Sequence, residues 1–286
     1  MTIHEASLKL RYQLMERYDT AEARNITDWV LEHVTGWSRI DRIINKQLKL
    51  SASQEADLEK ITGRLMQHEP VQYVLNEAWF CGMKFFVNHN VLIPRPETEE
   101  LVHWILQDFP PGAQGLKILD IGTGSGCIPI TLKTKLKAAE LWSCDVSENA
   151  LQVAKQNAAN LQADIRFLLL DFLDQSGWYP LPVFDIIVSN PPYVPESDQQ
   201  SMQPNVLNFE PHTALFVPDN DSLVFYKAII DFAVTHLKAG GAVYAEIHEN
   251  LGAGTSRLFE AAGFSVQLKK DMQGKDRMIK AVSPAT

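Results

Sequence analysis

The sequence predicts an α/β fold, a doubly wound and mostly parallel sheet carried behind a small helical bundle. Three observations predict it. Short apolar runs alternate with amphipathic stretches of helical length from Lys117 onward. Residues 1–75 carry helical periodicity with no such alternation, and a glycine-rich turn joins the first apolar run to the helix that follows it. Alternating strand and helix patterns are the signature of parallel strands covered on both faces.

The elements follow in order. Apolar residues recur at three- and four-residue spacing in Leu8, Leu10, Tyr12, Leu14 and Met15, then in Trp29, Val30, Val34 and Trp37. A third such stretch runs through Leu58, Ile61, Leu65 and Met66, with Ser53, Gln54 and Glu55 as its start signal. Gly36 and the polar run Ser51–Ser53 separate these segments, which read as a bundle over residues 1–75. The Trp29 and Trp37 helices contribute core, with a partner-facing surface as a second reading. Trp79–Val91 alternates and is rich in aromatic and β-branched residues, with turn candidates at Gly82 and Asn88–Asn90. It predicts a β-hairpin linker over 76–92. Pro94 and Pro96 then force an extended entry into a helix over Leu101–Leu106, opening a domain over 93–286.

Within that domain, Ile118–Ile121, Leu141–Cys144, Ile165–Leu170, Phe184–Ser189 and Ala242–Ile247 read as strands. Ile128–Leu136, Ala150–Leu161, Leu223–Leu237 and Leu251–Ala262 read as the helices between and after them. Pro191–Asp221, holding six prolines, is a long irregular connection of the kind that usually carries function.

Composition narrows the classes. The chain has 286 residues, 45% of them hydrophobic, enough for a large core without staples. Its 26 Lys+Arg against 35 Asp+Glu give a net charge of −9, which disfavours nucleic acid as a partner. No apolar window approaches the roughly 18 residues of a membrane span, and the N-terminus lacks the apolar core of a signal peptide. Cys81, Cys127 and Cys144 are an odd count at unrelated spacings, against a disulfide framework and in favour of a reducing cytoplasm. Cys127 and Cys144 read as small buried hydrophobes. His89, His103, His212 and His248 share no ligand spacing, so no metal is expected.

Lys117–Ile121 runs into Gly122-Thr123-Gly124-Ser125-Gly126 and then directly into a helix. Such a turn brings backbone N–H groups and a helix N-terminus against a ligand. The dinucleotide fingerprint wants its third glycine one residue later, where Cys127 stands, which disfavours NAD. Asp145 closes the second strand 19 residues after Gly126, the place of a carboxylate that grips ribose hydroxyls. Asp171 closes the third strand beside Phe172, a pair suited to an exocyclic amine and a purine face. Asp120 adds a third acid, and the loop holds no base. A cationic, phosphate-free nucleoside such as S-adenosylmethionine fits that company better than a triphosphate.

The fourth strand runs into Asn190-Pro191-Pro192-Tyr193. Two prolines fix the backbone and remove two donors while leaving their carbonyls as acceptors. Asn190 Oδ1 and the Pro191 carbonyl can take the two hydrogens of a planar –NH2, with Tyr193 covering one face. Arg95, Glu97, Glu99 and Glu100 border the cofactor entrance or form a solvated helix start.

At these residues the chain resembles a known family. Asp120–Ile128 (DIGTGSGCI) and Asn190–Val194 (NPPYV) are similar to the motifs of the HemK/PrmC family, the peptide-chain release factor glutamine N5-methyltransferases. Pro70–Tyr73, Ile93–Glu99 (IPRPETE), Glu210-Pro211 and Asp271–Arg277 extend the resemblance across residues 70–286. It implies a class I S-adenosylmethionine-dependent methyltransferase, Rossmann-like, with seven strands of which the last is antiparallel. It implies cofactor contacts at Gly122, Thr123, Gly124, Ser125, Gly126, Asp145, Phe172 and Asn190. The catalytic residues would be Asn190, Pro191 and Tyr193, and the substrate-binding set adds Pro192. The acceptor it implies is the glutamine of the Gly-Gly-Gln loop in class 1 release factors, met by a cytoplasmic monomer with no metal, membrane or direct nucleic-acid partner. The bundle would contribute to recognising that protein.

A sister group that methylates a glutamine of ribosomal protein uL3 resembles the chain less at Arg95–Glu99. An adenine-N6 methyltransferase of nucleic acid would need a basic face. A cofactor-binding scaffold with a dead site is disfavoured by the intact acceptor loop. Asn76, Val217–Asp221 and His248 depart from positions where the family usually carries glycine.

Overall fold

The structure, a computed structural model, describes residues 1–110 and 112–285, with the backbone alone of Ser201. Its contacts divide the chain into two units, Met1–Glu77 with Gln203–Phe209, and Ala78–Met202 with Glu210–Thr286.

The first unit holds α1 (Ile3–Leu14), α2 (Thr20–Thr35), α3 (Arg39–Ile44), α4 (Ala52–Leu65) and α5 (Val71–Leu75). Their starts are written in side chains. Thr2 and Glu5 form a capping box on α1, and Asp19 accepts from Ala21 N and Glu22 N on α2. The start of α4 lies two residues before the expected Ser53. Ser51 and Gln54 have the three-residue spacing a capping box requires, and Ser53 does not. Gly36 ends α2 in the left-handed region at φ 68°. Asn76 ends α5 at φ 55°, so this departure from glycine falls on the residue type that best tolerates that conformation. Leu10, Leu14, Val30, Leu31, Leu58 and Leu65 meet in one buried core, with Trp29 and Trp37 packed at its edge.

The second unit opens with β1 (Ala78–Phe80) and β2 (Met83–Phe85). The hairpin is shorter than its alternation suggests and turns at Cys81-Gly82, where both residues have positive φ. Phe80 and Phe85 are buried with Leu101, Val102 and Ile118, so the hairpin belongs to the second unit's core. There follow α6 (Pro96–Asp108), β3 (Lys117–Ile121), α7 (Cys127–Lys135), β4 (Glu140–Asp145), α8 (Glu148–Asn160), β5 (Arg166–Leu169) and β6 (Phe184–Ser189).

The connection after β6 carries more structure than its prolines suggest: β7 (Val194–Pro195), α9 (Pro204–Leu207) and β8 (Phe216–Val217), with β7 and β8 paired in parallel. Then come α10 (Val224–His236), β9 (Leu237–Glu246), α11 (Gly252–Ala261), β10 (Ser265–Lys270) and β11 (Asp276–Val282).

The main sheet has seven strands in the order β10-β11-β9-β6-β3-β4-β5. All neighbours are parallel except β11, which runs antiparallel to both β10 and β9, as the resemblance implies. Apolar clusters fill both faces. Ile187, Phe232, Val243 and Phe259 lie in one, and Ile105, Ile118, Ile130 and Val188 in the other. Each such side chain, fully buried, stabilises the fold by about 1.5–3 kcal/mol. The sheet order reverses between β3 and β6, and the carboxyl ends flanking that reversal form the place where open α/β sheets bind ligands.

Candidate active site

Register brings the site together. Ile121 pairs with Ser189, and Ser189 pairs with Ala245. Gly122, Asn190 and Glu246 therefore leave three adjacent strands side by side.

The glycine turn is built by backbone. Gly122, Gly124 and Gly126 all have positive φ, at 77°, 52° and 81°, which L side chains disfavour. At Gly126 space forbids a side chain as well, because a Cβ would lie 2.9 Å from Ile130 Cδ1 and 3.2 Å from Ala154 Cβ. Gly126 thus lets the start of α7 lie close against α8 at Ala154. Gly122 N and Thr123 N both donate to the Cys144 carbonyl, at 2.9 and 3.0 Å. Asp145 Oδ2 accepts from Gly124 N and Oδ1 from Ser147 N, each at 2.9 Å. Burial pushes the Asp145 carboxyl above its ordinary range, against the pull of those N–H groups.

One cavity is lined by Arg95 and Thr98, by Ile121–Ser125 with Cys127 and Ile128, by Asp145, by Asp171 and Phe172, and by Asn190–Pro192. The sequence-predicted Gly122, Thr123, Gly124, Ser125, Asp145, Asp171, Phe172, Asn190, Pro191 and Pro192 are all there. Gly126 supports the loop from behind. Cys127 and Cys144 are buried, free thiols.

Two placements differ from the sequence reading. Asp120 is fully buried and does not line the cavity. Ser143 donates to its Oδ2 at 2.7 Å, and burial pushes its carboxyl up to about 7. Tyr193 stands outside the lining too. Its ring lies 6.0 Å from that of His248, and its hydroxyl donates to Glu246 Oε1 at 2.9 Å.

Three residues had no assigned role in the sequence reading. Thr98 donates to Glu246 Oε2 at 2.7 Å and accepts from Asn190 Nδ2 at 3.1 Å. Glu246, 1% exposed, ends β9, and burial pushes its carboxyl upward. Buried Glu210 accepts from Arg95 Nη2 at 2.5 Å and from Ile93 N at 3.3 Å, which ties the Arg-Pro-Glu-Thr-Glu segment beside the cavity. Glu99 and Glu100 act in structure instead, accepting from Cys81 N and Met272 N. A strand ending on an acid next to the acceptor strand was the signal available for Glu246.

The cavity fits a cationic nucleoside. Among the described residues its one cationic side chain, Arg95, is paired with Glu210, while Asp145 and Asp171 line it. Asp145 retains acceptor capacity beyond its two N–H contacts. The Thr123 hydroxyl is buried toward the Asp120 carboxyl and helps to hold it. Among the described residues, neither Asn190 Oδ1 nor the Pro191 carbonyl accepts a hydrogen bond, so both remain available as acceptors.

The family model for the methyltransferase small domain matches residues 100–208, and that for the PrmC N-terminal domain matches residues 5–75. The release factor glutamine methyltransferase of Flavobacterium psychrophilum is 44% identical over 266 residues, 92% of this chain and 93% of that protein. The enzyme of the same name from Bacteroides thetaiotaomicron is 40% identical over 273 residues, 95% of this chain and 97% of that protein. A methyltransferase structure from Pyrococcus furiosus shares the fold, with TM-score 0.51 and 17% identity over 78% of this chain and 97% of that one. With identity at this level over nearly its whole length, the chain belongs to the release factor glutamine methyltransferase family.

Proposed function

We propose that the chain methylates the side-chain N5 of the Gly-Gly-Gln glutamine in class 1 release factors, using S-adenosylmethionine. The observation that carries this reading is the pair of free acceptors, Asn190 Oδ1 and the Pro191 carbonyl, at the rim of an acidic nucleoside-sized cavity. A primary amide brings the matching pair of N–H donors.

S-adenosylmethionine supplies, when bound, a methyl group made electrophilic by a positive sulfur. Asp145 would hold the ribose hydroxyls, Asp171 and Phe172 the base, and the glycine turn the remaining backbone contacts. Asn190 and Pro191 take up both amide hydrogens, which draws the nitrogen out of conjugation and leaves its lone pair on the open side. Fixing that geometry can lower the barrier by about 7–11 kcal/mol. No dedicated base is required, because the nitrogen becomes strongly acidic only after transfer. Tyr193 acts from behind the loop through Glu246. The helical bundle would add grip on a protein much larger than the modified loop.

Labelled methyl incorporation into release factor, ribosomal proteins and DNA, run in parallel, tests the reading. Label on the release-factor Gly-Gly-Gln glutamine is expected. Label confined to a ribosomal protein or to DNA overturns it.

A further inference from the structure

Glu246 is a carboxylate in a place that should reject one. It is 1% exposed, and burying an ionised acid costs several kcal/mol unless it is well hydrogen-bonded. Two hydroxyls serve it, Thr98 on Oε2 and Tyr193 on Oε1, while Tyr226 donates to its backbone carbonyl at 2.9 Å. The charged or titratable groups that act on it are Glu97 of α6, Tyr193 of the acceptor loop, Tyr226 of α10 and Arg277 of β11. None of these is a reacting group, so the acid calls for another explanation.

Counting hydrogens supplies one. An ionised carboxylate only accepts, so both hydroxyls must donate to it. Thr98 has a single hydrogen and spends it on Glu246, which leaves its oxygen only as an acceptor. The neighbour on that oxygen is the Asn190 side chain, at 3.1 Å, and it must present its NH2 there. Asn190 Oδ1 is then the side-chain atom left for the cavity. Asparagine is otherwise symmetric in shape, and the flipped amide would offer N–H to an incoming N–H.

We propose that Glu246, acting through Thr98, is the positioning residue that fixes the hydrogen-bond polarity of Asn190, so that the acceptor loop receives amide hydrogens instead of opposing them. The inference rests on the proposed reaction for its kinetic test. The hydrogen count itself does not depend on the acceptor. Glu246→Gln breaks the count, because the two hydroxyls sit on different carboxylate oxygens and an amide offers an acceptor at one of those positions and a donor at the other. When its NH2 faces Thr98, the threonine hydrogen turns to Asn190 and selects the flipped amide.

The test uses the full-length chain with Thr98→Val, Thr98→Ser and Glu246→Gln, assayed by methyl incorporation into release factor at saturating cofactor. Thr98→Val and Glu246→Gln should lower kcat by about 10- to 100-fold, the scale of a misplaced reacting group, while leaving cofactor Kd within about threefold. Thr98→Ser keeps the hydroxyl and should recover kcat to within about threefold of wild type. The wild-type kcat should also fall on acidification with a midpoint above the ordinary carboxylate range, since Glu246 must be ionised, and Glu246→Gln should lose that limb. Full kcat in Thr98→Val, equal losses in Thr98→Val and Thr98→Ser, or an unchanged acid limb in Glu246→Gln each overturn the proposal. If Glu246→Gln fails to fold, the Thr98 pair decides.

Hydrogen exchange of the Asn190 side-chain NH2, followed by NMR without any acceptor, separates this inference from the reaction assigned above. Protection in wild type that is lost in Thr98→Val supports the positioning role even if release factor proves not to be the substrate. Equal exchange in the two proteins refutes it.

Discussion

The two ends of the cavity are made of different material. At the glycine end, backbone does the holding: Gly124 N and Ser147 N fix Asp145, and Gly122 N and Thr123 N lock the turn onto the Cys144 carbonyl. At the acceptor end, side chains do it: Asn190, Thr98, Glu246 and Tyr193 form one connected set drawn from a helix, a strand and a loop. A backbone-built turn carries Asp145 as its one working side chain and fails when a Cβ is added to its glycines. A side-chain-built end fails one functional group at a time, without disturbing its neighbour.

Asn190→Ala is the strongest way to break that contrast. It removes Oδ1 and leaves the glycine turn untouched, so kcat should fall by about 1,000-fold, the loss expected of a preorganised polar contact. Cofactor affinity, measured by equilibrium binding, should stay within a few-fold. A collapse of cofactor binding in step with kcat would mean that the two ends are not separately built.

Gly126→Ala is the complementary break at the other end. Its Cβ meets Ile130 Cδ1 at 2.9 Å and Ala154 Cβ at 3.2 Å, and φ of 81° strains any L residue. The left-handed conformation costs about 1–2 kcal/mol and overpacking about 1–3 kcal/mol. Shared between the fold and the turn, that cost should weaken cofactor binding by about 10- to 100-fold and lower Tm, with kcat at saturating cofactor close to wild type. A kcat loss with unchanged cofactor Kd would reverse the assignment of the two ends.

The difference also explains what the sequence made legible. The glycine end was readable because it is local: a strand, a turn with three glycines and a helix, with Asp145 closing the next strand at a recognisable distance. Asn190 and Pro191 were readable for the same reason, as a rigid peptide at a strand end. Thr98 and Glu246 were not, because their meeting depends on the register of β6 with β9 and on a helix 148 residues away in the chain. The side chain of Tyr193 could not be aimed from sequence either, since Glu246 decides where its hydroxyl goes. Asp120 was misplaced because β3 is covered on both faces. Every residue after its first is buried there, so period-two alternation gives no hint of which face an acid takes.

Acidification should sharpen the comparison at the glycine end. Asp145 must be ionised to accept from ribose hydroxyls at both oxygens, and burial holds its carboxyl above the ordinary range. Cofactor affinity should therefore weaken at a pH where an exposed aspartate is still charged, by up to about tenfold per unit below that point. Asp145→Asn should bind weakly at all pH values and lose the dependence. An affinity flat with pH in wild type would place the cofactor's grip elsewhere.

The smallest expected effect on activity comes from Asp120, and it separates the cavity from its foundation. Its carboxyl sits near 7 in the fold, against about 3.9 in an unfolded chain, because burial disfavours the charge and Ser143 Oγ only partly offsets it. The folded state thus binds more protons than the unfolded state between those values, so stability falls as pH rises through that window and levels off above 7. Asp120→Asn keeps an acceptor for Ser143 and cannot ionise. Its Tm should exceed that of wild type by roughly ten degrees at pH 8, since about three pH units between the two states carry up to about 4 kcal/mol, and the gap should close toward pH 4. Cofactor Kd and kcat should hardly move, because Asp120 does not line the cavity. A loss of cofactor affinity in Asp120→Asn, with Tm unchanged at both pH values, would return this acid to the cofactor's company and make the glycine end depend on a second side chain besides Asp145.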